Sequence, residues 1–271
     1  MINLQDKKIV LTGAYGAIAS EVASLLLNLG AHVSLAGRNK QSLDDLRKIL
    51  ATSVQDSHES VITIVADVTK EDDRHKIIDK TLSKFGQIDV LINLAGLMSF
   101  DQFCEEDPKL TEELFQVNVL APMQLTKMIV PHMVEKGSGQ IINVGSIFGS
   151  IAFAWFATYS ATKFALRGFS EALRRELDGT GVAVSYIAPR TVNTPFNSDA
   201  ITQMLNHFNT KIDKPSKVAK DIVNAIQGNV KEKYLGFPEN IFVRVNSLFP
   251  RVVDRALKKQ NQDAKKFITK K

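Results

Sequence analysis

Ser146, Tyr159 and Lys163 all lie in the stretch GSIFGSIAFAWFATYSATK, and their types and spacing suit proton transfer. If residues 155–178 are helical, Tyr159 and Lys163 are i and i+4 and share one face. A nearby ammonium favours the phenolate, so it lowers a tyrosine pKa from about 10 towards neutrality. Tyr159 is then a candidate proton donor to a carbonyl being reduced, or a base for the reverse reaction. Ser146, at the carboxyl end of a strand, is placed to hydrogen-bond the same oxygen. A plainer description also fits: an exposed helix pair beside a strand-end serine.

Such a set needs a scaffold and a hydride source. The stretch TGAYGAIA, Thr12 to Ala19, reads as a strand-to-helix turn with the shape of a phosphate loop. Gly13 permits the tight turn and Gly16 leaves room for close approach, while Ala17 and Ala19 each add a methyl group. Backbone N–H groups and the helix dipole favour an anion at this point. A turn that binds nothing fits the loop equally well. The second strand ends LAGRN, where a carboxylate would hold the ribose 2′-hydroxyl of NAD. Gly37 stands there instead, followed by Arg38, whose fork suits a 2′-phosphate. If a dinucleotide binds, the pattern favours NADP, with NAD as the other candidate; a solvated surface arginine is the alternative for Arg38.

The elements that position these residues are legible as alternating runs. Strands are expected at 7–12, 32–37, 61–66, 88–93, 140–146, 182–188 and 233–237. Helices are expected at about 16–29, 42–50, 71–85, 111–136, 155–178 and 216–227. Seven strands interleaved with helices imply an α/β fold of the Rossmann type, doubly wound, with a seven-stranded parallel sheet and right-handed crossovers. The strand runs are apolar throughout, as for a sheet covered on both faces. With 271 residues, 44% of them apolar, the chain can bury one large core. The expected organisation is a domain at 1–238 and a C-terminal extension at 239–271.

Composition excludes several classes. The single cysteine, Cys104, builds neither a disulfide framework nor a cysteine metal site, which fits a reducing cytoplasm. It sits in CEED, where acids oppose a thiolate. No signal peptide or membrane span is apparent. The net charge of +5 is concentrated at the end: residues 251–271 carry eight basic and two acidic side chains, leaving the first 250 residues at about −1. A nucleic-acid role for the body is unsupported. A serine hydrolase elbow is absent, because Val144 and Phe148 replace its glycines. None of the five histidines (His32, His58, His75, His132, His207) lies in a triad context, and no cluster has metal-ligand spacing.

Six pieces in order resemble the short-chain dehydrogenase/reductase family, over about residues 5–237. TGAYGAIA resembles its cofactor loop, Asp67 in ADVT its adenine-contacting aspartate, and NLAG (Asn93 to Gly96) its Asn-Asn-Ala-Gly motif. Asn118 in FQVNV resembles the asparagine that holds a proton-relay water. Ser146, Tyr159 and Lys163 match the catalytic set, including the 13-residue step from serine to tyrosine. PRTVNT (Pro189 to Thr194) resembles the segment whose threonine contacts the nicotinamide amide. The resemblance implies hydride transfer between NADP(H) and a carbonyl or alcohol, with Ser146, Tyr159, Lys163 and Asn118 catalytic. It implies a cofactor set of Thr12, Gly13, Tyr15, Gly16, Ala17, Ile18, Arg38, Asp67, Val68, Asn93, Ala95, Gly96, Tyr159, Lys163, Pro189, Val192 and Thr194. Three departures stand out: the alanines at 17 and 19, Leu94 for the second asparagine, and Arg190 for a glycine. Arg190 either crowds the nicotinamide or adds charge near the phosphates. A homodimer or homotetramer is implied. A non-catalytic sensor or scaffold on the same fold is the alternative.

The substrate region reads PFNSDAITQMLNHFNTKID after Thr194. Phe196 and Met204, with Phe153 and Phe156 upstream, form a candidate apolar pocket for a lipophilic substrate; Trp155 is expected near the same crevice. Helical spacing would also make the apolar residues after Thr194 core. In the extension, Ile241, Val245, Leu248, Phe249, Val252 and Leu257 recur at helical spacing, and Pro250 either kinks the segment or starts a second helix. An amphipathic stretch followed by basic residues suits a peripheral contact of 239–271 with an anionic membrane. Packing on the body or on a partner subunit suits it too.

Overall fold

The computed structural model describes residues 1–53 and 57–268. Lys270 and Lys271 of the basic tail lie outside them, as does the side chain of His58. Seven strands form one parallel sheet: β1 (Lys8–Thr12), β2 (His32–Gly37), β3 (Val61–Val65), β4 (Val90–Asn93), β5 (Gly139–Val144), β6 (Val182–Ala188) and β7 (Glu232–Tyr234). Their order across the sheet is β3-β2-β1-β4-β5-β6-β7, so the winding reverses between β1 and β4. Crevices at such reversals, beyond the carboxyl ends of the strands, are where open α/β sheets bind ligands. In β1, β2, β4 and β5 nearly every residue is buried, which is why these strands read as unbroken apolar runs.

Helices cover both faces. On one side lie α1 (Ala17–Asn28), α2 (Lys40–Ser53) and α9 (Pro215–Gln227). α1 buries Ala19, Val22, Ala23, Leu26 and Leu27, a helical stripe packed against Val218, Ile222 and Ile226 of α9. On the other side lie α4 (Glu71–Phe85), α6 (Ala121–Glu135) and α7 (Ala157–Glu176), around Ile77, Ile129, Met133 and Leu173. A single turn, α3 (Ser57–Ser60), precedes β3. Gly86 ends α4 at φ 80°, a left-handed cap that donates to Leu82.

Several expectations need correction. The helix expected at 111–136 is α5 (Pro108–Phe115), capped by Asp107, then a π-turn at Gln116–Leu120, then α6. β5 stops at Val144, so Ser146 stands just past the strand, and β7 is three residues at 232–234. Of the two alternatives for Pro250, the second holds, since it starts a second helix: α10 (Glu239–Leu248) gives way to α11 (Pro250–Ala264) at an elbow. α8 (Asp199–His207), capped by Ser198, occupies the substrate region.

Candidate active site

A cavity of about 620 Å³ opens at the winding reversal. Most of the residues singled out from the sequence line it: Gly13, Tyr15, Gly16, Ala17, Ile18, Arg38, Asp67, Val68, Ala95, Gly96, Ser146, Tyr159, Lys163, Pro189, Val192 and Thr194. Thr12, Asn93 and Asn118 stand behind the wall. Thr12 Oγ1 accepts from the N–H groups of Leu94 and Ala95 at 3.1 and 3.2 Å, which ties the exit of β1 to that of β4. Asn93 Nδ2 donates to Asn143 Oδ1 at 2.9 Å, and Asn143 Nδ2 to Ser170 Oγ at 2.9 Å, so a buried polar chain joins β4, β5 and α7. Asn143 and Ser170 were not singled out from the sequence, because an asparagine inside an apolar run gives no sign of its partner.

Asn118 lies in the π-turn, a helix irregularity often found at functional sites. Its Oδ1 accepts from Leu97 N–H at 2.8 Å, and its Nδ2 donates to Leu97 O at 2.8 Å and Thr162 Oγ1 at 3.0 Å. Both amide donors are therefore engaged, one holding the loop after β4 and the other tying the π-turn to α7. Ala19 is fully buried in the core, so its methyl faces the sheet, and Ala17 alone adds bulk to the cavity wall.

Ser146 is extended, at φ −161°, and its hydroxyl accepts from Phe148 N–H at 3.2 Å. It is also the hydrogen-bond partner of the Tyr159 phenol. Its backbone is clasped by Tyr186, whose hydroxyl donates to Ser146 O at 3.0 Å and accepts from Ser146 N–H at 3.4 Å. The buried Tyr186 leaves no room at its neighbours: a Cβ on Gly145 would sit 2.2 Å from the Tyr186 ring, and one on Gly149 2.3 Å from its oxygen. Tyr186 is a positioning residue that sequence reasoning missed; the available signal was a tyrosine in the middle of the apolar run VAVSYIA.

Tyr159 and Lys163 do share a face of α7, and both are buried. Lys163 Nζ lies 5.6 Å from the Tyr159 ring centroid and donates to Val144 O at 3.5 Å. The electrostatics differ from the expectation. Burial pushes the Tyr159 phenol up to about 12, opposed only by the Ser146 hydrogen bond, and burial brings the Lys163 ammonium down to about 8. Desolvation outweighs charge here, because both charged forms lose water and the ammonium itself is unfavourable in this site. The phenol is thus held neutral. Asp67 goes the other way. Burial works against its carboxylate, but the Thr69 N–H and hydroxyl, with Arg38 and Lys70 nearby, hold it below the usual range.

The Tyr159 ring borders an apolar cluster with Phe156, Ile201 and Leu205, against which Phe148 and Met204 pack. Phe156, Met204 and the half-exposed Phe196 line the cavity; Phe153 stands behind Phe148, ring to ring at 4.7 Å. Phe148 also lines the cavity and meets the Tyr159 ring edge-on at 5.8 Å. Trp155 turns away: its Nε1 donates to Asn261 O of α11 at 2.9 Å.

Arg190 lines the cavity, but its guanidinium is engaged elsewhere. Its guanidinium makes two 2.9 Å bonds to Asp213, a third to Glu239 Oε2 at 2.9 Å, and one to Phe237 O at 3.2 Å. It fastens the cavity rim to the start of the C-terminal extension.

The family model for short chain dehydrogenases matches residues 7–205. An uncharacterized oxidoreductase of Staphylococcus saprophyticus is 37% identical over 200 residues, 73% of this chain and 84% of that one. An uncharacterized oxidoreductase of Bacillus subtilis is 32% identical over 262 residues, 94% of this chain and 72% of that one, so the likeness extends into the C-terminal helices. A short-chain dehydrogenase/reductase of unknown function from Caenorhabditis elegans, solved with cofactor, superimposes with a TM-score of 0.77 at 29% identity, covering 86% of this chain and 94% of that one. The chain belongs to the short-chain dehydrogenase family and is an oxidoreductase that works between alcohol and carbonyl groups with a nicotinamide dinucleotide.

Proposed function

We propose that the chain transfers hydride between NADP(H) and a lipophilic ketone, aldehyde or alcohol, with Tyr159 as the proton donor or acceptor. The cavity residues fit a dinucleotide. α1 opens at Gly16 with no side-chain cap and no acid in its first turn, which leaves its first N–H groups and positive end for a phosphate. Gly13, at φ 67°, keeps the floor bare; a Cβ there would lie 2.8 Å from Ala95 Cα. β2 ends in Gly37 and Arg38 with no carboxylate for a ribose 2′-hydroxyl, and Arg38 faces the cavity; this supports NADP. When bound, the dinucleotide gives or takes the hydride.

The protein's own residues handle the proton. During reduction the Tyr159 O–H bond breaks towards the substrate oxygen, and burial keeps that proton in place until then. Ser146 hydrogen-bonds at the same point, and Lys163 holds a partly charged ammonium beside the ring. The observation that carries the reading is the buried, neutral Tyr159 hydroxyl at the junction of the dinucleotide cavity and the Phe148–Phe156–Leu205 cluster. The apolar lining supports a lipophilic substrate. Exposed Phe115, Leu120 and Phe164, around α5 and α7, support a homodimer or homotetramer, and a monomer mass by light scattering would count against it.

The test is NADPH or NADH with a panel of ketones and aldehydes. NADPH consumption is expected with an apolar carbonyl, reduced at least about a hundredfold in Tyr159→Phe. An undiminished rate in that variant, or cofactor binding without turnover of any carbonyl, overturns the proposal. Arg38→Ala is expected to weaken NADPH by roughly tenfold or more while sparing NADH; equal losses for both would remove the NADP assignment.

A further inference from the structure

The α10–α11 elbow carries a surface that the site chemistry does not use. Leu248 and Phe249 at its tip are 72% and 60% exposed, and Phe237 ahead of α10, Ile241 and Phe242 along it, and Val252 in α11 are each at least half exposed. On α10, Ile241, Phe242, Val245, Leu248 and Phe249 fall within one arc, while Val243 on the far side is buried against the body. The extension is thus a packed element with an apolar face turned outward. Asn246 donates to Ser150 O and Trp155 to Asn261 O, which fixes how it sits. Contiguous exposed apolar residues of this size mark an interaction site.

The next helix supplies the charge. Arg251, Arg255, Lys258 and Lys259 are spaced i, i+4, i+7 and i+8, so they form one stripe on α11. All four are exposed, and none pairs with a carboxylate among the described residues. The opposite face, Val253, Leu257 and Ala264, turns inward.

We infer that the α10–α11 elbow is an interfacial anchor, with Leu248, Phe249 and their neighbours seated at the acyl boundary of an anionic lipid bilayer and the α11 stripe set against its headgroups. Charge complementarity selects this occupant. A second copy docked through the same face by twofold symmetry would bring two cationic stripes together. A nucleic acid would use the stripe but leave the phenylalanines and leucine unexplained. No helix among the described residues is long and apolar enough to cross a membrane, so the contact is with the surface. The extension also braces the substrate side of the cavity. The 3₁₀ turn at Lys265–Phe267 packs on α8, with Phe267 beside His207 and Phe208. A bilayer at the elbow would therefore lie close to the apolar end of the site; this last point rests on the proposed function, whereas the anchor does not.

The test is flotation of the full chain with vesicles of phosphatidylcholine alone and of equal parts phosphatidylcholine and phosphatidylserine. The protein is expected to float with the phosphatidylserine vesicles and be released by high salt. Arg255→Gln with Lys258→Gln is expected to lower the partition coefficient about thirtyfold, two cations at about 1 kcal/mol each. Leu248→Asp with Phe249→Asp is expected to abolish flotation. All four side chains are exposed, so unchanged thermal melts and unchanged NADPH binding are expected in both variants, which separates failure of the anchor from failure of the catalytic reading. The proposal is overturned if the chain stays unbound with both vesicles, or floats equally with both and is unaffected by the glutamine pair. A fall in molecular mass of the aspartate variant with flotation unchanged would give the elbow to a second copy instead.

Discussion

At the scale of single residues, the acid–base pair is set by burial rather than by mutual charge. Lys163 titrates near 10.5 when exposed in the unfolded chain and near 8 in the fold, so between those values the unfolded state binds more protons. Stability therefore rises with pH across that window. Tyr159 acts in the opposite sense above pH 10, because its folded pKa of about 12 keeps the proton that the unfolded chain releases. The two windows overlap little, and the Lys163 effect is readable between pH 8 and 10. Below pH 8 the buried ammonium costs about 3 kcal/mol, from 1.36 kcal/mol per unit, as an upper figure. Lys163→Met is accordingly expected to lose activity yet be more stable than the parent at pH 7, with the difference shrinking towards pH 10. Urea melts at the two pH values check this; a variant no more stable at pH 7 would show that the ammonium is better solvated than its burial indicates. The i, i+4 spacing revealed that Tyr159 and Lys163 share a face, but not that both are buried, and so the direction of the tyrosine shift was not legible in the sequence.

At the scale of elements, what the sequence revealed and what it hid follow from the distance over which each signal acts. The strands were legible because a sheet covered on both faces writes its burial into consecutive residues, as in KIVLT and HVSLAG. Pro250 marked the elbow between two helices because proline suits a first helical turn. The partners of Ser146, Trp155 and Arg190 were hidden, since they lie 40, 106, and 23 and 49 residues away. The turn after β5 is the clearest case, because Ser146 is held there by Tyr186 of β6 between two glycines with no space for a side chain. Gly145→Ala forces a methyl into the Tyr186 ring and is expected to cost about 1–3 kcal/mol. Tyr186→Ala opens a cavity and is expected to cost about 3–5 kcal/mol. Because the second change removes the atoms that the first strikes, the double variant is expected to be less destabilised than the sum of the two. Denaturant melts of the three variants measure this coupling; simple additivity would mean that the turn avoids the ring by moving, and that Tyr186 does not set the position of Ser146.

At the scale of the whole molecule, the C-terminal extension and the cavity rim are joined by one guanidinium. Arg190 leaves β6 beside the cavity and binds Asp213 ahead of α9, together with Glu239 at the start of α10. Asp213 is 6% exposed, and the Arg190 hydrogen bonds, assisted by Lys217, hold its carboxyl below the usual range against the effect of burial. Among the described residues, removing the guanidinium leaves Asp213 with the Lys217 cation alone and Glu239 without one. Arg190→Ala is expected to cost about 3 kcal/mol, the low end for breaking a buried pair, because Lys217 still reaches Asp213. Lysine is expected to rescue it poorly, since a single ammonium cannot reproduce the fork that spans two carboxylates. The loss has a direction through the fold: α10 loosens first, then α11, then the Phe267 contact that steadies α8 over the apolar cluster. The expected signature is faster hydrogen exchange in 239–268 and a raised KM for the carbonyl substrate, with dinucleotide affinity unchanged. Were Arg190 instead a cofactor contact, as its place in the sequence suggested, the same variant would weaken the dinucleotide and leave exchange in α10 as it was. The two measurements on one protein therefore decide between a residue that fastens the extension and one that holds a phosphate.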